Sequence, residues 1–156
     1  MTGVLRSLSA ARIFVDDLER ARRFYGGVLE LRETAAAPDW AVFDIDGKNL
    51  VVEKVPPDDP EHGLVGRFLA VSFDVDDIDA AYRDLTAKGV SFVEPPEKQV
   101  WGGTLAFLRD PDGNGIELSW DRPQADWPLA EDGRLNMDTR PLSTKELLQE
   151  AAVDEP

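Results

Sequence analysis

Ala10-Ala-Arg-Ile-Phe-Val-Asp-Asp-Leu18 returns, 60 residues later, as Ala70-Val-Ser-Phe-Asp-Val-Asp-Asp-Ile78. The pairs Ala10/Ala70, Val15/Val75, Asp16/Asp76 and Asp17/Asp77 are identical, and self-similarity at a fixed offset is the mark of a duplicated unit. Within each copy apolar residues alternate and then, at the Asp pair, give way to helical spacing. Each copy therefore reads as a strand entering a helix.

Around the first phrase, Ala11, Ile13 and Val15 make one strand face, and Ala10, Arg12 and Phe14 make the other. A helix is expected from Asp16 or Asp17, whose carboxylates suit free N-terminal N–H groups, with Leu18, Ala21, Tyr25 and Val28 as its buried stripe. Gly26-Gly27 leaves the end of that helix open. Strands are expected near Leu31–Thr34, Trp40–Ile45 and Asn49–Lys54, with Asp46-Gly47 turning the last two into a hairpin. The second copy repeats the plan: a strand at Leu69–Val75, a helix from Asp77 carrying Ile78, Tyr82 and Leu85, and strands near Val90–Val93, Thr104–Leu108 and Gly115–Trp120. Pro111-Asp-Gly-Asn-Gly115 supplies the turn before the last strand. The expected organisation is α+β, one domain over 1–156, with module one at 6–55, a proline-rich linker at 56–66, module two at 67–120 and a C-terminal extension at 121–156. Ser143 is placed to cap a short helix, Thr144–Ala152, in that extension.

Composition narrows the function classes. With 42% apolar and 31% charged residues the chain has enough apolar content for a core. It has no cysteine, so thiolate metal sites, disulfides and cysteine nucleophiles drop out. A net charge of −14 repels phosphate backbones and anionic membranes, so neither nucleic acid nor membrane is expected as a partner. No apolar run reaches the roughly 20 residues of a membrane helix, and the start lacks a signal-peptide core, so a cytoplasmic location is expected.

The duplicated βαβββ plan, the phrase Val15-Asp-Asp-Leu-Glu-Arg-Ala-Arg-Arg-Phe-Tyr25, and Leu108-Arg-Asp-Pro-Asp-Gly-Asn-Gly-Ile-Glu-Leu118 together resemble the vicinal oxygen chelate superfamily, which includes glyoxalases, bleomycin-resistance proteins and extradiol dioxygenases. The resemblance covers about residues 8–120. The tail, from Trp120-Asp-Arg-Pro to Asn136-Met-Asp-Thr-Arg-Pro-Leu142, looks most like small catechol 2,3-dioxygenase-related members. It implies two modules whose curved mixed sheet encloses a cavity, a small organic ligand there, and a homodimer.

Metal-using members of the family place ligands at the first and last strand of each unit, and motif matching puts those positions at Ala10, Glu53, Ala70 and Glu117. Alanine offers no lone pair, so the histidine ligands are missing, and the chain's single histidine, His62, lies in the linker outside that register. No cofactor is expected; a divalent metal on Glu53 and Glu117 would need an oxygen-rich, water-completed shell. The catalytic candidates are Glu117 and Glu53 as acid or base, with Arg12 either neutralising a carboxylate or anchoring an anionic, enolate-like group. Strand parity adds Phe14, Trp40, Ser72, Asp74 and Phe107, beside Val42, Val51 and Ser119, as cavity residues, and places Trp101, before Gly102-Gly103, at the mouth. Sequestration or acid/base transformation of a ligand without metal is one expectation; a dioxygenase, lyase or isomerase with a reduced ligand set is the other.

Overall fold

A computed structural model of the chain describes residues 4–5, 7–99, 102–121 and 131. The chain divides into two compact units, Met1–Leu69 with Arg109–Gly115, and Ala70–Leu108 with Ile116–Pro156. Trp101 and the expected helix Thr144–Ala152 lie outside the described residues.

In the first unit, β1 (Ala10–Val15), β2 (Arg32–Ala37), β3 (Trp40–Ile45) and β4 (Lys48–Lys54) form a mixed sheet ordered β1-β4-β3-β2. The β1–β4 pair is parallel and the other pairs are antiparallel. Period-two alternation sends Ile13, Val15, Ala41, Phe43, Leu50 and Val52 to one face, where each is at most 1% exposed. The register stacks them in rows: Ile13 beside Val52 beside Ala41, and Leu50 beside Phe43. The Asp46-Gly47 hairpin has positive φ at both residues, +48° and +75°, as a turn matched to strand twist requires. β2 runs on to Ala37, past the expected Thr34, because the alanines pair with β3 beyond a register shift between Glu33 and Ala35.

The helix after β1 is capped by Asp17, whose carboxylate accepts from the Arg20 N–H at 2.9 Å, rather than by Asp16. That bond holds the Asp17 carboxyl below its usual range. α1 (Leu18–Arg22) then widens into a π-helical stretch, Arg23–Val28. The extra residue per turn shifts the buried stripe from the expected one: Leu18, Ala21, Phe24 and Tyr25 are buried, while Val28 is only half-buried. Gly26 allows the close approach, since a Cβ there would sit 3.3 Å from the Phe43 ring. Proline 60 in the linker starts a single 3₁₀ turn, Pro60–Leu64, capped by the Asp59 carboxylate.

In the second unit, β5 (Phe68–Asp74), β6 (Ser91–Phe92), β7 (Glu97–Lys98), β8 (Thr104–Arg109) and β9 (Gly115–Trp120) form a sheet ordered β5-β9-β8-β6, with the short β7 pairing β8. The third of these strands was not expected from sequence; it is two residues long, too short to show a period. Asp77 caps α2 (Ile78–Ala87) by accepting from the Ala80 N–H at 2.9 Å, repeating the Asp17 geometry. Ala106, Leu108, Ile116 and Leu118 are buried, and Tyr82 meets Phe92 edge to face at 4.8 Å. Among the described residues no helix is long and apolar enough to cross a membrane.

Candidate functional site

On the first sheet the face opposite the core carries Arg12, Phe14, Trp40, Val42, Val51 and Glu53. Register aligns Phe14 with Glu53 and Glu53 with Trp40, while Arg12 aligns with Val51 and Val51 with Val42. From one pair along, Arg12 reaches Glu53 and donates from Nη2 to Oε2. The bond to Glu53, then its charge, raises the guanidinium pKa further, with Glu61 adding a weaker field. Arg12 thus takes the neutralising role toward Glu53. The pair is open to water, with side chains 52% and 30% exposed.

Phe14 is 4% exposed, because the Arg12 and Arg67 guanidiniums lie over its ring at 5.2 and 5.5 Å from the centroid. What this position presents outward is therefore guanidinium rather than bare aromatic face. Trp40, at the edge of the same face, is exposed. His62 pairs through Nε2 with Asp16 at the end of β1, so the one histidine is spent fastening the linker turn.

The Asp110–Gly115 turn, which carried much of the family resemblance, is a structural lock. Asn114 is fully buried and donates to the Phe14 carbonyl and to Asp110, both at 2.9 Å, while its Oδ1 accepts from the Gly66 N–H at 2.9 Å. Asp110 accepts from the backbone N–H groups of Asp112 and Asn114 and from the Tyr25 hydroxyl at 2.7 Å. Burial, reinforced by the Asp110 charge, drives the Tyr25 phenol far above its ordinary pKa, so it stays a donor. Asp112 in turn accepts from the Asp16 N–H and from Arg20 at 2.7 Å. These residues tie the turn to the β1–α1 corner, with Asp112 Oδ2 and Arg20 Nε left as buried polar atoms without a hydrogen-bond partner.

On the second sheet the buried residues Ile116 and Leu118 put Glu117 and Ser119 on the opposite face, and Phe107 likewise alternates with Ala106 and Leu108. The Ser72 hydroxyl donates to Glu117 Oε1 across β5 and β9. Burial raises the Glu117 pKa, and the Ser72 bond only partly opposes it. A half-buried carboxyl that holds its proton more readily than usual is suited to acid or base work. Asp74 is exposed and Phe107 half-buried. A shallow cavity of about 340 Å³, lined by none of the residues expected from strand parity, is bounded by Asp76, Asp77, Ile78, Asp79, Thr104 and Trp120. Ala70 stands in the left-handed region at φ +52°, unusual for a residue with a Cβ.

The family's metal does not fit these residues. Ala10 and Ala70 end in methyl groups, Glu53 is engaged by Arg12 and Glu117 by Ser72. Among the described residues no group of three His, Cys, Asp or Glu side chains is arranged to hold an ion.

Residues 7–118 match the family model of the Glyoxalase/Bleomycin resistance protein/Dioxygenase superfamily. The chain is 29% identical over 147 residues to a catechol-2,3-dioxygenase of Bacillus subtilis, covering 90% of this chain but 50% of that protein, so it spans about half the length of this relative. A superfamily member from Sphaerobacter thermophilus has a crystal structure that aligns with TM-score 0.64 at 31% identity, covering 75% of this chain and 98% of that one. A lactoylglutathione lyase from Agrobacterium tumefaciens aligns with TM-score 0.63 at 22% identity over 76% of this chain and 96% of that one, a likeness of fold.

Proposed function

The chain belongs to the Glyoxalase/Bleomycin resistance protein/Dioxygenase superfamily, and from that membership we propose that it is a cytoplasmic, homodimeric small-molecule-binding protein working without a histidine-held metal. The observation that carries this reading is the engagement of both candidate carboxylates inside the chain, Glu53 by a guanidinium and Glu117 by a hydroxyl, while Ala10 and Ala70 offer no lone pair. Glu117 is the group most able to act on a bound ligand, because burial raises its pKa above that of an exposed carboxylate.

A thermal-shift screen of aromatic and antibiotic-like compounds, run on protein dialysed against chelator, tests this directly. Ligand-dependent stabilisation that added Fe²⁺, Mn²⁺, Ni²⁺ or Zn²⁺ does not change is the expected result. Stoichiometric iron surviving dialysis, with a ligand response that needs it, would overturn it. If a binding compound is also turned over, Glu117→Gln abolishes turnover and leaves binding largely intact.

The likeness to a catechol-2,3-dioxygenase favours a second reading, oxidative chemistry on an aromatic substrate. It requires a donor set other than Ala10, Glu53, Ala70 and Glu117, and metal analysis of the purified protein separates the two.

A further inference from the structure

Two guanidiniums share one buried ring on the first sheet, and they are treated differently by the rest of the chain. Arg12, over one part of Phe14, is met by the chain's own carboxylate, Glu53. Arg67, over the same ring, forms no ion pair among the described residues; its guanidinium makes one long bond, 3.4 Å, from Nη2 to the Arg12 carbonyl. Both arginines are exposed.

This arrangement is unusual for a chain with 31 acidic and 17 basic residues, where an exposed arginine has many carboxylates to choose from. Of the acids around this corner, Asp16 pairs with His62, Glu53 with Arg12 and Asp112 with Arg20, and Glu61, whose charge acts on Arg12, forms no ion pair with Arg67. Stacking on Phe14 holds the Arg67 plane with less rotamer freedom than a free surface arginine, so less is lost when its N–H fork takes a ligand. Like charges on a common ring repel, and an added negative charge relieves that repulsion as well as pairing with the fork. Glu53 on Arg12 shows the kind of partner a guanidinium seated on this ring accepts.

We propose that Arg67, with Arg12 beside it on Phe14, is the binding site for the carboxylate of a small organic acid. The proposal rests on the small-molecule reading above and gives it a substrate class, with Arg67 as a binding residue absent from the sequence-derived candidates.

The test is thermal shift and calorimetry with benzoate and malonate, their neutral counterparts benzamide and malonamide, and inorganic phosphate. The carboxylates are expected to stabilise the wild-type protein and the amides to have little effect. Arg67→Gln is expected to weaken carboxylate binding by on the order of tenfold or more, while changing the ligand-free Tm little, since the side chain is exposed. Arg67→Lys keeps the charge but loses the planar fork, and should lie between. Amides that bind as well as the acids, phosphate that binds better than either acid, or a Gln variant that responds like wild type would each overturn the proposal. Ligand response that ignores Arg67 sinks this proposal alone, whereas no response to any compound in either screen sinks the small-molecule reading with it.

Discussion

Two halves that begin with the same phrase finish with carboxyl groups in opposite surroundings. In the first unit Glu53 meets the Arg12 guanidinium from β1; in the second, Glu117, half-buried like Glu53, meets the Ser72 hydroxyl at the matching place on β5. Arg12 and Ser72 are equivalent positions of the repeat, so a single difference between copies decides whether the facing carboxyl meets a guanidinium or a hydroxyl, while burial is what raises the Glu117 pKa. Duplication supplied the scaffold twice, and divergence at one position gave each copy its own electrostatics. The halves also differ in what fastens them: the Asp110–Gly115 turn belongs to the first unit although it lies far along the chain.

The largest expected effect comes from that fastening. Asn114→Ala removes three side-chain hydrogen bonds and leaves buried partners unsatisfied, so a loss of about 3 kcal/mol and a Tm drop of roughly 6–12 °C are expected in thermal denaturation. A change under 2 °C would mean that the turn does not hold the first unit together. Ala70→Gly should act in the opposite direction. Glycine accepts φ +52° without the Cβ penalty, and after its greater unfolded-state entropy a gain of about 0.5–1 kcal/mol is expected by chemical denaturation.

Glu117→Gln sharpens the contrast between the carboxyls through pH. A carboxyl whose folded pKa lies above its unfolded value of 4.5 favours folding below that value, and the contribution is lost as pH rises through the folded pKa. The wild type should therefore lose stability above about pH 4.5 through this group, and the Gln variant should show a flatter profile with a higher Tm at pH 7. Glu53→Gln should do least, under about 0.5 kcal/mol, because its ion pair is open to solvent. If Glu53→Gln instead matched Glu117→Gln in size and sign, the distinction between the halves would fail.

Much of the fold could be read before any coordinate was known. The bounds of β3 and β9 match their expected ranges, and the others shift by a few residues at their ends. Alternation over five or six residues leaves little freedom, since a one-residue slip would turn the core face to water. The same parity put Arg12, Phe14, Trp40 and Glu53 on one face. Less visible were Val28, which leaves the helix's buried stripe because a π-helical stretch changes the phase, and β7, which has no period to detect. Arg67 was overlooked because nothing adjacent to it in sequence marks it; its partner is Phe14, more than fifty residues away.

The sequence by itself determined the duplication, the strand faces, the Asp77 cap, the Asp16-Asp17 pair as the start of the first helix, and the methyl groups at Ala10 and Ala70. Those are local or periodic properties, written within a few residues of where they act. Tertiary structure decided which partners the charged groups take: that Glu53 goes to Arg12, Glu117 to Ser72 and His62 to Asp16, that Phe14 lies beneath two guanidiniums, and that a polar turn at 110–115 is a buried brace. A pKa or an ion pair depends on what comes within a few ångströms through space, and only the folded chain sets that distance.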